Sequence, residues 1–399
     1  MHEASVMTAE KSASQAPTAL VFVADKNSEA AIRQSLNDIG VPNAEVEFIP
    51  GTVETASAAL SRRESPRLLI VDISGVNEPG SHLAELARAC EPSTGVIVIG
   101  ESNDIRLYRE LKSAGVAEYF FKPLVRSLVT QTCSGILYGN PAQPATHTGR
   151  LVFVLGVRGG VGATTIAVST AWQLAETHKR WVMLLDLDVF GGDAALQLDT
   201  NPSHALTDAL ERPERVDELF LDRGTIHVTS RLDLLASLEP LGEDLTINEH
   251  SVLSLLNTLL HRYRFVFVDV PATVASRLMQ ALLLPSVCIL VSDATLASAR
   301  DVARWRERIG PNTPDRTTVH ILNQSGAAGT LPESEFLRIT SEAPDVIIPY
   351  HREIESAAAL GIKALQSCAP LRRALAPIVR QLVGEEAAPR LSLLSRLFG

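Results

Sequence analysis

Hydrophobic positions along the chain fall in short unbroken runs separated by amphipathic stretches. Ala19-Leu-Val-Phe-Val23, Arg67-Leu-Leu-Ile-Val-Asp72, Gly95-Val-Ile-Val-Ile99 and Glu118-Tyr-Phe-Phe121 predict strands, and Ser28 to Ile39 predicts a helix. Alternation of strand and helix as far as Leu137 favours a parallel sheet with helices on both faces. A second series begins at Leu151-Val-Phe-Val-Leu155. It continues with Trp181-Val-Met-Leu-Leu185, Phe265-Val-Phe-Val268, Val287-Cys-Ile-Leu-Val291 and Thr318-Val-His-Ile-Leu322. Most of these runs are continuously apolar, as strands buried on both faces must be. Between the two series, residues 139–149 are rich in turn formers and poor in large apolar side chains, which suits a linker. The expected organisation is a disordered tail over 1–17, an α/β domain over 18–138, the linker, a larger α/β domain over 150–385 and a C-terminal tail over 386–399. That last tail ends in Arg390-Leu-Ser-Leu-Leu-Ser-Arg-Leu-Phe-Gly399, amphipathic but only a turn or two long, so any membrane contact through it is weak or indirect.

Composition narrows the partners. The length of 399 residues is ample for two or three cores, and the formal charge of −10 disfavours strong nucleic-acid binding, which needs Lys and Arg to displace phosphate counterions. The four cysteines, Cys90, Cys133, Cys288 and Cys368, lie far apart without C-x-x-C spacing, so reduced, mostly buried thiols are expected. Neither a signal-peptide pattern nor a bilayer-length apolar run is evident, which points to the cytoplasm.

The richest chemistry follows the strand at Leu151. Gly159, Gly160 and Gly162 form a glycine turn that leads into a helix whose apolar face reads Ile166, Thr170, Ala171, Leu174 and Ala175. In a P-loop, G-x-x-x-x-G-K-S/T, backbone N–H groups cradle phosphates, the lysine neutralises β/γ oxygens and the hydroxyl holds magnesium. Thr164 stands at the hydroxyl position and Thr165 follows it, but Ala163 occupies the lysine position and Val157 the first glycine. Taken alone, the segment is also readable as a plain glycine turn between a strand and a helix. Its surroundings argue otherwise: Asp186 and Asp188 follow the second strand of this series, Asp269 ends the third and Asn323 follows the fifth. Carboxyl ends of parallel strands are where open α/β sheets bind ligands.

Arg158-Gly-Gly-Val-Gly-Ala-Thr-Thr165 resembles the deviant Walker A box, KGGxGK followed by Ser or Thr, of the MinD/ParA family, and the resemblance runs from about Gly149 to Val383. Leu184-Leu-Asp-Leu-Asp-Val-Phe-Gly-Gly-Asp-Ala-Ala-Leu-Gln-Leu198 and Pro202-Ser-His-Ala-Leu-Thr-Asp-Ala-Leu210 are most similar to the CpaE/TadZ proteins of Tad (Flp) pilus assembly. The resemblance implies ATP and Mg2+ as ligands. Arg158, Gly159, Gly160, Val161, Gly162, Ala163, Thr164 and Thr165 would hold the phosphates, with Thr164, Asp186 and Asp269 near the metal. Asp188 would position the attacking water, Asn323 would read adenine, and Pro349, in Ile348-Pro-Tyr350, would lie beside the base. Arg158 matches the signature lysine that reaches a partner's phosphates in a nucleotide-sandwich homodimer; arginine keeps that charge and can grip phosphate bidentately. Loss of the lysine at 163 should weaken binding by about 1.5–3 kcal/mol and cost turnover about 10²–10³. ATP binding with slow or absent hydrolysis is the expectation.

The front domain resembles a response-regulator receiver. Asp72 ends a strand where the phosphoacceptor would lie, Asp25 follows the first strand where metal-binding acids lie, and Lys122-Pro123 ends the last strand. Ala24 stands at the companion-acid position and Gly100 at the responding-hydroxyl position, so a protein-docking domain is expected over a phosphoswitch. The leading function is therefore a localisation and assembly factor for a Tad pilus secretion machine at the inner membrane, held at a site such as a cell pole. Two other classes stay open. A ParA-like DNA-partition ATPase would need a basic face and active hydrolysis, and a two-component regulator with an ATPase-like output would need Asp72 phosphorylation to change dimerisation.

Overall fold

A computed structural model describes residues 17–61, 63–138, 149–242 and 246–384. Most of the predicted linker, 139–148, and the predicted tails, apart from Pro17, lie outside the described residues. The chain forms two compact units, the first built on residues 17–60, 64–87 and 94–138 and the second on residues from 149 together with 61, 63 and 88–93. Both are α/β with parallel sheets, as the alternation of elements requires.

In the first unit, β1 (Ala19–Val23), β2 (Val46–Pro50), β3 (Leu68–Asp72), β4 (Gly95–Gly100) and β5 (Glu118–Phe121) form a parallel sheet in the order β2-β1-β3-β4-β5. Crossovers are the helices α1 (Lys26–Asp38), α2 (Val53–Leu60), α3 (Pro79–Ala89) and α4 (Ile105–Ser113), and α5 (Arg126–Tyr138) closes the unit. Alternate strand residues Val21, Ile70, Ile97 and Ile99 pack with Ile32 and Leu36 of α1 and with Val129, Cys133 and Leu137 of α5. The strand order reverses between β1 and β3, so their carboxyl ends open a crevice there.

In the second unit, β6 (Arg150–Gly156), β7 (Val182–Asp186), β8 (Ile226–His227), β9 (Leu232–Ala236), β10 (Phe265–Val270), β11 (Ser286–Ser292), β12 (Arg316–Ser325) and β13 (Val346–Pro349) form one sheet. Its order is β13-β12-β11-β6-β10-β7-β9-β8, parallel except for β8 against β9. Strand alternation divides the core cleanly. Val152 and Val154 face the layer of α6 (Ala163–Glu176) and the helix Ala369–Val383, whereas Leu151, Phe153 and Leu155 face the helices Glu249–Arg262 and Leu296–Ile309. Helix α6 is buried along most of its length, from Ile166 to Ala175, because it lies on the central strands. All four cysteines are free and buried. Among the described residues, no helix is long and apolar enough to cross a membrane.

Candidate functional site

Strand β6 brings the chain to Gly156, where a side chain would meet Arg158 O at 2.9 Å, so the loop turns back over the strand end. Gly160 (φ 80°) and Gly162 (φ 87°) take left-handed conformations that L side chains rarely adopt. Gly162 caps α6 without any side-chain hydrogen bond, and nothing lies within 4 Å of where a Cβ would project from Gly159 or Gly160. The N-terminal N–H groups of a fourteen-residue helix thus begin at an open, glycine-lined turn, which is an anion-binding arrangement.

The acids lie beneath that turn. Asp186 and Asp269 occupy the same rung of β7 and β10, not the loops after them. Asp186 accepts from the N–H groups of Asp188 (3.0 Å) and Ala194 (3.1 Å), and Asp188 accepts from Gly191 N at 3.0 Å. Only a residue without a Cβ fits at Gly192, since that atom would sit 2.5 Å from Asp186 Oδ2. The Thr164 side chain lies near Asp269 and acts to lower its carboxyl. Burial, and then the neighbouring acids, push both Asp269 and Asp186 above the ordinary carboxylate range. Among the described residues no three His, Cys, Asp or Glu side chains are grouped to hold a metal. A cation here would take one or two protein oxygens and complete its shell from phosphate and water, which fits magnesium and would relieve the crowded carboxylates.

Arg158, the glycine turn, Ala163, Thr164 and Thr165 line a cleft of about 350 Å³ with Asp188, Asp193, Gln197 and Asp269. Its lining carries one cation against three carboxylates. That cation is engaged within the chain: Arg158 Nη1 donates to Asp301 Oδ2 at 2.6 Å. Arg300 and then Arg158 hold the Asp301 carboxyl below its usual range. An adjoining pocket of about 160 Å³ shares Gly162 and Thr165 with the cleft and adds Asn323, Gln324, Pro349, Tyr350 and Glu355. Residues separated by more than a hundred positions therefore meet at one strand-end crevice. Sequence reasoning singled out neither Gly192 nor Asp301; the Gly191-Gly192 pair was the available signal for the first, and nothing local marks the second.

In the first unit, Lys122 Nζ lies 2.6 Å from Asp72 Oδ2 and 2.7 Å from Asp25 Oδ2. Asp72 is fully buried and also accepts from Ala24 N (3.1 Å) and Ser74 N (2.9 Å). Burial would raise its carboxyl, but Lys122 and the Ser74 and Ala24 donors outweigh that and lower it. A Cβ at Gly100 would lie 2.9 Å from both Ile73 Cγ1 and Tyr119 Oη. Tyr119 is buried, with its hydroxyl donating to Ser102 O at 2.6 Å. Asp25, Asp72 and Lys122 are brought together, and the place of a responding hydroxyl is filled.

A parallel sheet whose central strand feeds a glycine turn and helix, with acids at the ends of the next two strands on one side, defines a P-loop α/β fold of the MinD/ParA type. Residues 150–306 match the family model described as cellulose biosynthesis protein BcsQ. The septum site-determining protein MinD of Helicobacter pylori is 23% identical over 248 residues, covering 59% of this chain and 91% of that protein. The crystal structure of a ParA family ATPase from Chlorobium tepidum superposes with a TM-score of 0.50 at 21% identity, covering 59% of this chain and 98% of its own. A pilus assembly protein CpaE from Caulobacter crescentus is 30% identical, covering 29% of this chain and 91% of that one, with a TM-score of 0.26. The chain is thus similar to MinD/ParA-type ATPases.

Proposed function

We propose that the protein is an ATP-binding localisation and assembly factor for a Tad (Flp) type pilus machine, working as a nucleotide-bridged homodimer with slow or absent hydrolysis. The observation that carries the nucleotide reading is a glycine turn built as an anion cradle over a buried acid pair, and Ala163 at its lysine position carries the slow-hydrolysis reading. With one arginine among its lining side chains, the cleft would repel a bare triphosphate, so magnesium would supply the missing positive charge. Thr164 and Asp269 would hold it and Asp186 would brace the neighbouring strand end. Asp188 would orient a water, Asn323 and Pro349 would flank the base, and Arg158, once released from Asp301, would reach a second copy's phosphates. Without a lysine on the transferred phosphoryl group, binding outlasts turnover. The pilus role rests on the CpaE/TadZ resemblance of residues 184–210. The enclosed, ion-paired Asp72 centre supports the first unit as a fixed docking module, which would place the protein at the cytoplasmic face of the membrane or at a cell pole.

Calorimetry with ATP and magnesium, using Thr164→Arg as the obstructed control, tests the site. Binding by the wild type that disappears in a folded Thr164→Arg protein is expected. Absence of binding up to millimolar ATP would reduce the function to protein docking, and rapid multiple turnover would overturn the slow-hydrolysis reading.

A further inference from the structure

In the crevice beside the P-loop, Asn323 makes one protein contact at each end of its amide. Nδ2 donates to the carbonyl of Val161, inside the glycine turn, at 2.9 Å, and Oδ1 accepts from Gln324 N at 3.0 Å. The residue is only 8% exposed, and a Cβ on Gly162 would lie 2.6 Å from Nδ2, so the amide is seated directly on the loop. The backbone explains why it turns there. The pairing of β12 with β13 shifts between Leu322 and Ser325, and Gln324 adopts a left-handed φ of 54°. This irregularity re-aims a side chain, as bulges beside binding sites do.

We infer that Asn323 is a positioning residue for the phosphate cradle, a role separate from any contact its second N–H and second oxygen lone pair make with a base. Its bond fixes the Val161 carbonyl, and with it the peptide planes of Gly160, Val161 and Gly162 that aim N–H groups into the cleft. Pocket occupancy beside Pro349 and Tyr350 thereby becomes mechanically linked to loop shape, because Asn323 belongs to that pocket and to the loop contact at once. The inference rests on the nucleotide reading of the cleft, and it makes a demand that base recognition does not: the residue must matter to a ligand that has no base.

The test compares ATP-magnesium with inorganic tripolyphosphate-magnesium by calorimetry on the full chain, for wild type, Asn323→Ala and Asn323→Asp. Asp keeps the acceptor for Gln324 N and the side-chain volume but cannot donate to Val161 O when ionised. Loss of one loop hydrogen bond should weaken both ligands alike, by about three- to tenfold. Weakened ATP binding with unchanged tripolyphosphate binding would make Asn323 a base reader alone and overturn the inference, as would no effect on either. Hydrogen exchange of residues 157–162 without ligand gives a second, independent readout: faster exchange in Asn323→Asp, with β1 and β3 unaltered, is expected. Unchanged exchange overturns the positioning role even if the wild type binds neither ligand, a result that would itself count against the nucleotide reading.

Discussion

Arg158 and Asp301, 143 residues apart in the chain, meet at 2.6 Å between Nη1 and Oδ2. Asp301 sits on the helix Leu296–Ile309 and is also approached by Arg300 at 3.0 Å and Arg304 at 3.4 Å. The loop arginine is therefore compensated inside its own chain, and any phosphate must compete with a carboxylate for it. In Asp301→Asn, Arg158 is released while two neighbouring arginines stay. ATP-magnesium affinity should rise about two- to fivefold at low salt, with the gain shrinking as ionic strength screens the exposed partners. Calorimetry at two salt concentrations reads this directly. A weaker affinity would mean that Asp301 orients Arg158 toward the ligand.

The Asp186–Asp269 rung makes stability depend on pH. Burial and then Asp186 push Asp269 up to about 8, from an unfolded value of 3.8. The native state then holds more protons than the unfolded chain across that interval. Stability from this pair is full below the unfolded value and falls as pH rises toward the folded one. Melting temperature should drop by a few degrees between about pH 5 and 8 for the wild type, and by less in Asp269→Asn. Equal pH slopes in the two proteins would contradict this account.

Ala163 is the simplest position at which to restore chemistry. It lines the cleft and is only partly buried, so a longer side chain has room to extend toward the ligand. Ala163→Lys should tighten ATP-magnesium binding by about tenfold or more and raise single-turnover hydrolysis by at least a similar factor. Single-turnover assays with labelled ATP measure it; tighter binding with unchanged hydrolysis would place the missing catalytic group elsewhere.

Lys122 is the sole cation bonded to Asp72 among the described contacts, and its side chain is 15% exposed. Lys122→Met strands a buried carboxylate and should cost the first unit about 3 kcal/mol. Hydrogen exchange of β1 and β3 at neutral pH reports this loss. The sign with pH is opposite to that of the Asp186–Asp269 rung. Burial would raise Asp25, but Lys122 and Ser28 lower it to about 2, and Asp72 is lowered too. The stabilisation they give is present above the ordinary carboxylate range and is lost as pH falls through their depressed values, so the wild-type advantage over Lys122→Met should vanish in strong acid.

Gly100→Thr tests whether a responding hydroxyl can be installed. Its Cβ would collide with Ile73 and Tyr119, so the variant should lose about 1–3 kcal/mol and gain no phosphorylation. Intact mass after treatment with acetyl phosphate and magnesium settles the second half; a stoichiometric adduct in either protein that Asp72→Asn lacks would contradict a docking-only unit.

Much of the architecture was legible because strands buried on both faces leave unbroken apolar runs. Elements whose burial depends on distant partners were not. β9 carries Asp233 in its midst, tolerable only because Tyr263 Oη donates to it at 2.7 Å and His227 Nδ1 approaches it at 2.6 Å. β2 has no fully buried residue and ends in proline, and β13 spans four residues, so neither shows a core strand's pattern. Within the site, Asp186 and Asp269 stood out as acids closing apolar runs. Their shared rung, the Arg158–Asp301 pair and the loop contact of Asn323 arise from folding partners that no local spacing encodes.

The eight-stranded sheet closes on one side with the two-residue β8, running against its neighbour, and on the other with β13, whose last residue, Pro349, has no N–H. Neither border offers a long row of free backbone donors on which another chain could template a strand. Growth by sheet extension is thereby discouraged at both margins. Self-association is steered toward side-chain surfaces, where its extent can be finite and its onset tied to a ligand.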